Sequence, residues 1–349
     1  MNKLTRRGFS LGDINSSGFS AEQPSCAWAK GMPVYLPDAI KALLDEQHDS
    51  IKQSKVLYQA LLDQHACDEL LDQKPYAERW QSQFESLGSS MSEGDEQEIE
   101  TVFFDALENG DIVAEDLWLK VSWLSFFEQD ASLRFRFSFG VDHVEDVAAD
   151  KQRQHYAALL CDAVFPESRV ITENASLHQS LKNIIACEQF HFVERIVYFN
   201  SPEGGAYLHH DLERGHAGVV YTQLSGSTFW LALPKYQLLE ELVMFCEQCQ
   251  KNGWPDSLTK EIRDELANLT NDKSALANEL ETFANDSLIH CINETQEFVQ
   301  QLISNGHGQQ LNTGDVILLP QQDVYNCCWH SVFCVGQETG QALSFAIRA

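Results

Sequence analysis

Gly205-Ala206-Tyr207-Leu208-His209-His210-Asp211 is the stretch on which the reading of this chain turns. Ser201-Pro202-Glu203-Gly204-Gly205 punctuates the chain just before it, and the residues that follow suit a short strand. Successive side chains on a strand point to opposite faces, so His209 and Asp211 share one face and His210 takes the other. One imidazole and one carboxylate from a single strand are two thirds of a 2-His-1-carboxylate set, which leaves open positions on ferrous iron. The third ligand is expected from a distant, later strand. His330, in Trp329-His330-Ser331-Val332-Phe333, is the candidate. A lone His-x-Asp also has a plainer reading, as a surface pair or as hydrogen-bonded core residues.

Outward from this stretch the chain reads as short strands. Segments 192–199, 206–211, 219–224 and 228–233 come first, and 315–319, 331–335 and 342–347 close the chain. A helical interruption, 237–305, divides the two groups. Leu133-Arg134-Phe135-Arg136-Phe137-Ser138-Phe139 alternates as a half-buried strand with Leu and Phe on one face. Short strands with few helices between them suggest an antiparallel barrel rather than a parallel sheet. Helices are expected at 150–165 and 177–187, and over 37–88, where Ile40, Leu43, Leu44, Val56, Leu57, Leu61 and Leu62 recur at helical spacing. The acidic stretch 89–100 reads as a solvated loop, followed by a helix at 116–128. The expected class is therefore mainly β with helical additions (α+β). An N-terminal helical region, 1–125, packs on a barrel, 126–349, that carries the insertion at 237–305.

Composition narrows the function. The 349 residues hold 24 Lys plus Arg against 52 Asp plus Glu, a formal charge of −28. Binding to a phosphate backbone or an anionic membrane depends on concentrated cations, so neither nucleic acid nor membrane is an expected partner. No run approaches the ~20 apolar residues of a membrane helix. Thr5-Arg6-Arg7-Gly8-Phe9 carries paired arginines as a twin-arginine export signal does, but polar residues and glycines follow where an apolar stretch belongs. The N-terminus is accordingly expected to be polar and frayed, and the protein cytoplasmic. Ten scattered cysteines agree with that compartment. Cys246 and Cys249 form a CxxC with no second pair, and His290-Cys291 is a poor complement, so these are expected to be buried free thiols. Cys327-Cys328 is a vicinal pair beside His330.

Two flanking segments complete the pattern. Gln223-Leu224-Ser225-Gly226-Ser227-Thr228-Phe229-Trp230-Leu231-Ala232-Leu233-Pro234 follows the His-x-Asp, and Leu311-Asn312-Thr313-Gly314-Asp315-Val316-Ile317-Leu318-Leu319-Pro320 precedes Trp329-His330. This ordered set resembles the Jumonji-C (cupin-like) branch of the iron(II)- and 2-oxoglutarate-dependent oxygenases. That branch shows HxD/E, a G-x-x-x-W-x-x-x-P hairpin, then GD-x-x-x-x-P leading into WWH, and a closing strand that Leu343-Ser344-Phe345 approximates. The resemblance spans about 193–348, apart from the insertion. It implies a double-stranded β-helix (jelly-roll, cupin-like) barrel with Fe(2+) held by His209, Asp211 and His330, and 2-oxoglutarate as cosubstrate. It also implies a dioxygenase, most simply a hydroxylase of a protein, peptide or small-molecule C–H bond.

The chain departs from the family pattern in two places. Nine residues, 321–329, separate Pro320 from His330, more than the family carries. The family's lysine for the distal carboxylate of 2-oxoglutarate falls at Thr228, and a hydroxyl supplies no counter-charge. Lys235, Arg195 and Arg348 are the available cations, and Arg348 shares a strand face with Ser344 and Ala346. Thr228, Arg348, Lys235 and Tyr221 are therefore the expected cosubstrate residues. Tyr207 and Tyr221 are candidates to line the pocket, while His216, between glycines, reads as a solvated loop residue. A small-molecule cosubstrate and a basic protein or peptide drawn by the acidic surface are the expected partners, with the outer helices open to a homodimer contact. The competing readings are a cupin metalloenzyme that does not use 2-oxoglutarate and a non-catalytic barrel.

Overall fold

The computed structural model describes residues 3–14, 18–19, 22–91, 97–125, 127, 130–141, 149–212, 216–282 and 284–349. Its strands are β1 Lys3–Arg6, β2 Phe9–Asp13, β3 Val34–Leu36, β4 Phe84–Ser90, β5 Glu98–Glu108, β6 Asp111–Trp123, β7 Leu133–Phe139 and β8 His191–Asn200. They continue as β9 Gly205–His209, β10 Gly218–Ser225, β11 Ser227–Pro234, β12 Gly308–Asn312, β13 Val316–Pro320, β14 Cys328–Val335 and β15 Gly340–Arg348. One large sheet has the order β3-β13-β10-β15-β8-β7-β6-β5-β4, and a smaller one the order β12-β11-β14-β9. Neighbours are antiparallel throughout both sheets.

Alternation explains how the two sheets meet. On the large sheet Phe135, Phe137, Val197, Phe199, Leu343 and Phe345 turn outward into a core shared with helices His48–Leu62 and Lys151–Val164. On the small sheet Phe229, Leu231, Leu233 and Phe333 turn outward against Leu238 and Leu242 of helix Lys235–Asn252 and against Phe298 and Leu302 of helix Gln296–Ser304. The opposite faces look at each other. Val219, Tyr221, Ile317 and Leu319 of the large sheet pack with Trp230, Ala232 and Cys328 of the small one. Both sheets thus bury an apolar outer face under helices and share an interior that is apolar where β10 and β13 meet β11 and β14. The result is an α+β architecture dominated by antiparallel sheet.

Three local expectations change. Residues 116–123 are not a helix: 111–123 form β6, a long hairpin with β5 that extends the large sheet, and 126 and 128 lie outside the described residues. Asn109 and Gly110, both at positive φ (53° and 90°), make its two-residue turn, the Asn-Gly signal for a twisted hairpin. The acidic stretch 89–100 is strand at both ends, and its residues 92–96 lie outside the described residues. The N-terminus is not frayed over 3–13. Lys3–Arg6 pairs with Phe9–Asp13, Leu4 and Leu11 are fully buried, and Arg6 is only 2% exposed. No described helix is long and apolar enough to cross a membrane.

Candidate metal centre

β9 and β14 are neighbours in the small sheet, and their register places His209 directly opposite His330. The two rings lie 4.3 Å apart between centroids. β9 ends at His209, so Asp211 sits just past the strand rather than on it. It still turns back to the same side. Its Oδ1 is 3.3 Å from His209 Nε2 and its Oδ2 is 3.3 Å from His330 Nε2. One ligand atom from each of the three residues falls within 4.8 Å of the others, the one such group among the described residues.

Each imidazole is oriented by a backbone carbonyl. His209 Nδ1 donates to Tyr207 O at 2.6 Å, and His330 Nδ1 to Cys328 O at 3.3 Å. That fixes the tautomer with the proton on Nδ1 and leaves both Nε2 lone pairs aimed at the shared centre, the arrangement metal-binding histidines need. Trp230 stacks on the His330 ring at 5.5 Å with an interplanar angle of 28°. Burial alone would raise the Asp211 carboxyl, but the His330 and His209 imidazoles hold it well below the ordinary carboxylate range. Burial lowers His330, and the neighbouring His209 adds to that; against burial, the adjoining Asp211 carboxylate raises His209. His330 is buried while His209 and Asp211 each keep 40% of the side chain exposed, so the centre is open on one side. His210 faces away: its Nε2 lies 3.3 Å from Glu281 Oε2 and its ring meets the Trp329 edge at 4.9 Å.

The open side gives onto a cavity of about 600 Å³ between the two sheets. Its wall places Tyr198, Tyr221, Ser344 and Ala346 from the large sheet opposite Trp230 and Val332 from the small one. His216, expected in a solvated loop, is 7% exposed and lines this cavity. Burial lowers its pKa, favouring the neutral ring.

The expected cosubstrate residues are less concentrated. Tyr221 lines the cavity. Its hydroxyl accepts from Asn200 Nδ2 at 3.0 Å and reaches Gln223 Oε1 at 3.2 Å. Thr228 lies behind that wall, fully buried. Its Oγ1 donates to Gln223 Oε1 at 2.9 Å and accepts from Trp230 Nε1 at 2.9 Å, which steadies the ring stacked on His330. Lys235 is committed to Glu281 at the start of its helix, outside the cavity. Arg195 turns to the other face of the large sheet, 5.4 Å above the Phe345 ring. Ser344 and Ala346 line the cavity, but Arg348, next on the same face, is not in its wall.

Sequence reading missed the charge that is there. Arg7, Lys120, Arg134 and Arg136 line the cavity against the acids Glu194 and Asp211. Four cations thus gather in the wall of a chain whose formal charge is −28. Arg136 pairs with Glu194 at 2.5 Å, Lys120 with Glu98 at 3.3 Å and Arg7 with Asp130 at 3.4 Å. Among the described residues no carboxylate pairs with Arg134, whose Nε reaches only Ser122 Oγ at 3.4 Å. The signal was present: alternation that turns Phe135 and Phe137 outward turns Arg134 and Arg136 inward. Cys246, Cys249 and Cys291 are buried free thiols, and His290 pairs with Glu294 at 2.9 Å.

No protein-family profile matches this chain, and no curated protein does. Solved structures similar to it include a 2OG-Fe(II) oxygenase-family oxidoreductase from Burkholderia pseudomallei, at 8% identity over 67% of this chain and 68% of that one, TM-score 0.28. They include the Escherichia coli ribosomal oxygenase YcfD at 12% identity, over 96% of this chain and 54% of that one, TM-score 0.29. YcfD in complex with cobalt and succinic acid gives 12%, 96%, 53% and 0.28 in the same measures. This chain thus spans about half the length of the YcfD structures. The chemistry of the site rests on its own residues.

Proposed function

We propose that this chain is an iron(II)- and 2-oxoglutarate-dependent oxygenase that hydroxylates a C–H bond of a protein, peptide or small molecule. The observation that carries the reading is the convergence of His209, Asp211 and His330 on one point at the cavity edge, with both imidazoles fixed as Nε2 donors. Two neutral nitrogens, one carboxylate and an open side suit a divalent iron that must keep positions for a cosubstrate and oxygen. The unit holding the site is taken as 126–349, a double-stranded β-helix whose larger sheet is extended by strands from the first 125 residues.

Ferrous iron and 2-oxoglutarate would together supply oxygen activation, coupling oxidative decarboxylation of the keto acid to C–H hydroxylation. The chain's residues do the rest. His209, Asp211 and His330 hold the metal. Trp230 and Tyr221 wall off one side of the centre, excluding water from it. Tyr198, whose phenol is pushed up by burial and by Asp211, stays protonated and able to donate a hydrogen bond. Arg134 supplies the counter-charge for the distal carboxylate that Thr228 cannot. A half-buried guanidinium in the cavity wall with no carboxylate partner among the described residues offers a planar, bidentate match to that group.

The test is to add 2-oxoglutarate to the anaerobic ferrous protein and follow the visible spectrum, then measure oxygen uptake with and without the keto acid. A metal-to-ligand charge-transfer band and keto-acid-dependent uptake are expected. Iron binding with neither response would favour a cupin metalloenzyme that does not use 2-oxoglutarate, which the absence of a lysine at Thr228 already suits.

A further inference from the structure

β9 carries His209 and leads into Asp211, yet it is an edge strand. Its ladder to β14 is also broken next to the ligands. His330 pairs with His209 and Val332 with Ala206, so Tyr207 and Leu208 on β9 oppose the single Ser331 on β14. Such a bulge strands backbone groups and re-aims side chains. An edge strand with an interrupted ladder is a weak mount for two ligands.

The stranded groups are taken up by two distant segments. Leu208 N donates to Asn293 Oδ1 at 2.7 Å, from helix Asp286–Glu294 of the insertion. Ala206 O accepts from Arg6 Nη1 at 2.7 Å and from Ser331 Oγ at 3.0 Å. The same Arg6 Nη1 lies 2.7 Å from Ser331 Oγ, while Nη2 donates to Asn293 O at 2.8 Å. The guanidinium is held between the rings of Tyr207 on β9 and Phe333 on β14, at 4.6 and 4.5 Å. Arg7 adds a 2.8 Å bond to Gly205 O. One buried cation thus joins the N-terminal hairpin, both ligand strands and the insertion helix at the bulge.

A buried guanidinium that donates to neutral oxygens is a costly way to hold a fold together, since its charge gains little in return. Burial here pulls Arg6 down to about 9, still protonated at neutral pH. Its bonds to the two ligand strands, at Ala206 and Ser331, fall within three residues of His209 and one residue of His330. We propose that Arg6 is a positioning residue of the metal centre, a strap that closes the β9 bulge so that His209 and Asp211 stay aimed at His330. The proposal rests on the metal reading above and adds to it that residues 3–13 are part of the metal centre, although none of them is a ligand.

The experiment is Co(2+) titration of the full chain against a competing chelator, with wild type, Arg6→Met and Ser331→Ala. Hydrogen exchange at the Leu208 amide is followed in the metal-free proteins. Supporting partners of metal ligands are typically worth tenfold to a hundredfold in affinity. Arg6→Met should lose that much, shift the visible Co(2+) spectrum and speed exchange at Leu208, and Arg6→Lys should recover part of each. Ser331→Ala removes only a hydroxyl and should move all three readouts in the same direction, so it decides the matter if Arg6→Met does not fold. Folded variants with wild-type Co(2+) affinity and spectrum overturn the strap and leave the metal site standing. A wild type that binds no Co(2+) overturns the metal reading itself, and the strap with it.

Discussion

His209 and His330 are register partners across β9 and β14, so two ligands 121 residues apart in the chain are set by a single strand pairing. Their Nδ1 protons are spent on Tyr207 O and Cys328 O, each two residues back along the same strand. Both rings are therefore oriented by the backbone that carries them, and the third ligand needs only a short turn back from the strand end. A metal centre built this way depends on the pairing as much as on the ligands.

Replacing His209, Asp211 or His330 with Ala should cost at least a hundredfold in Co(2+) affinity, whereas His210→Ala should cost less than threefold. His210 turns toward Glu281 and Trp329, away from the centre. The measurement is a chelator-competition titration on each folded variant. Loss of metal in His210→Ala with retention in His209→Ala would mean that β9 is one residue out of register, since a slip of one exchanges the two faces.

Gly205 tests the pairing itself. A Cβ built there would lie 2.0 Å from Val332 O, and its φ of +138° lies in the region that favours glycine. Gly205→Ala should destabilise the protein by about 1–3 kcal/mol through strain and displaced backbone. It should also weaken metal binding, because the strand it displaces carries His209. Urea unfolding and a Co(2+) titration on the same sample check both halves. An unchanged metal affinity in a destabilised protein would show that β9 relaxes without moving the ligands.

What could be read from the sequence follows from where each element takes its stability. β10, β11, β13, β14 and β15 are buried on both faces, and their apolar runs end at turn residues such as Gly226 and Gly314, so composition and punctuation marked them. β1 and β2 could not be seen: Lys3-Leu4-Thr5-Arg6 is short and polar, and its anchoring bonds go to Ala206, Ser331 and Asn293. No local pattern reports a contact across 200 residues or more. β6 was misread for a different reason. Leu117, Trp118, Leu119 and Val121 are all buried, a crowding that satisfies a helical spacing as readily as a strand covered on both sides. The turn at Asn109-Gly110 was the arbitrating signal. At the site, the ligand triad was legible because strand period and motif order point to the same residues, whereas Arg134 needed the knowledge that β7 borders the cavity.

Glu241 links the insertion to the small sheet. Its carboxylate accepts from Gln301 Nε2 at 2.6 Å, from Asn305 Nδ2 at 2.9 Å and from His307 Nε2 at 3.1 Å. Burial alone would raise its pKa, but the bonds from His307, Gln301 and Asn305 outweigh burial and lower it. A carboxylate whose folded pKa is lowered contributes stability in full above its unfolded value, ~4.3, and loses it as pH falls through the folded value. Glu241→Gln should therefore unfold at lower urea at pH 7, by about 1–3 kcal/mol for the broken network. The gap should hold at pH 5.5 and narrow below about pH 4. A gap that goes on widening below about pH 4 would show that the group is not held as a carboxylate.

Arg134 decides between the two enzyme readings. The cosubstrate's distal carboxylate, once enclosed between the sheets, costs several kcal/mol if it meets no cation, more than a hydroxyl's hydrogen bond returns. Thr228 is spent on Gln223 and Trp230, Lys235 on Glu281, Arg7 on Asp130, Lys120 on Glu98 and Arg136 on Glu194, which leaves the Arg134 guanidinium on β7. Arg134→Met should keep Co(2+) and ferrous iron at wild-type affinity, because no ligand touches it. The same variant should weaken 2-oxoglutarate by about 2–5 kcal/mol, the range for removing one partner of a buried charge pair. Arg134→Lys should recover only part of this, since a point charge cannot reproduce a bidentate pair. Arg348→Ala and Lys235→Ala, measured beside it by the charge-transfer band in the anaerobic ferrous protein, should bind within a factor of three of wild type. A loss confined to Arg348→Ala would return the counter-charge to the last strand and keep the oxygenase. A charge-transfer band unchanged in all three would place the distal carboxylate on uncharged donors such as Asn200 and Tyr221, whose hydrogen bond at 3.0 Å already faces the cavity.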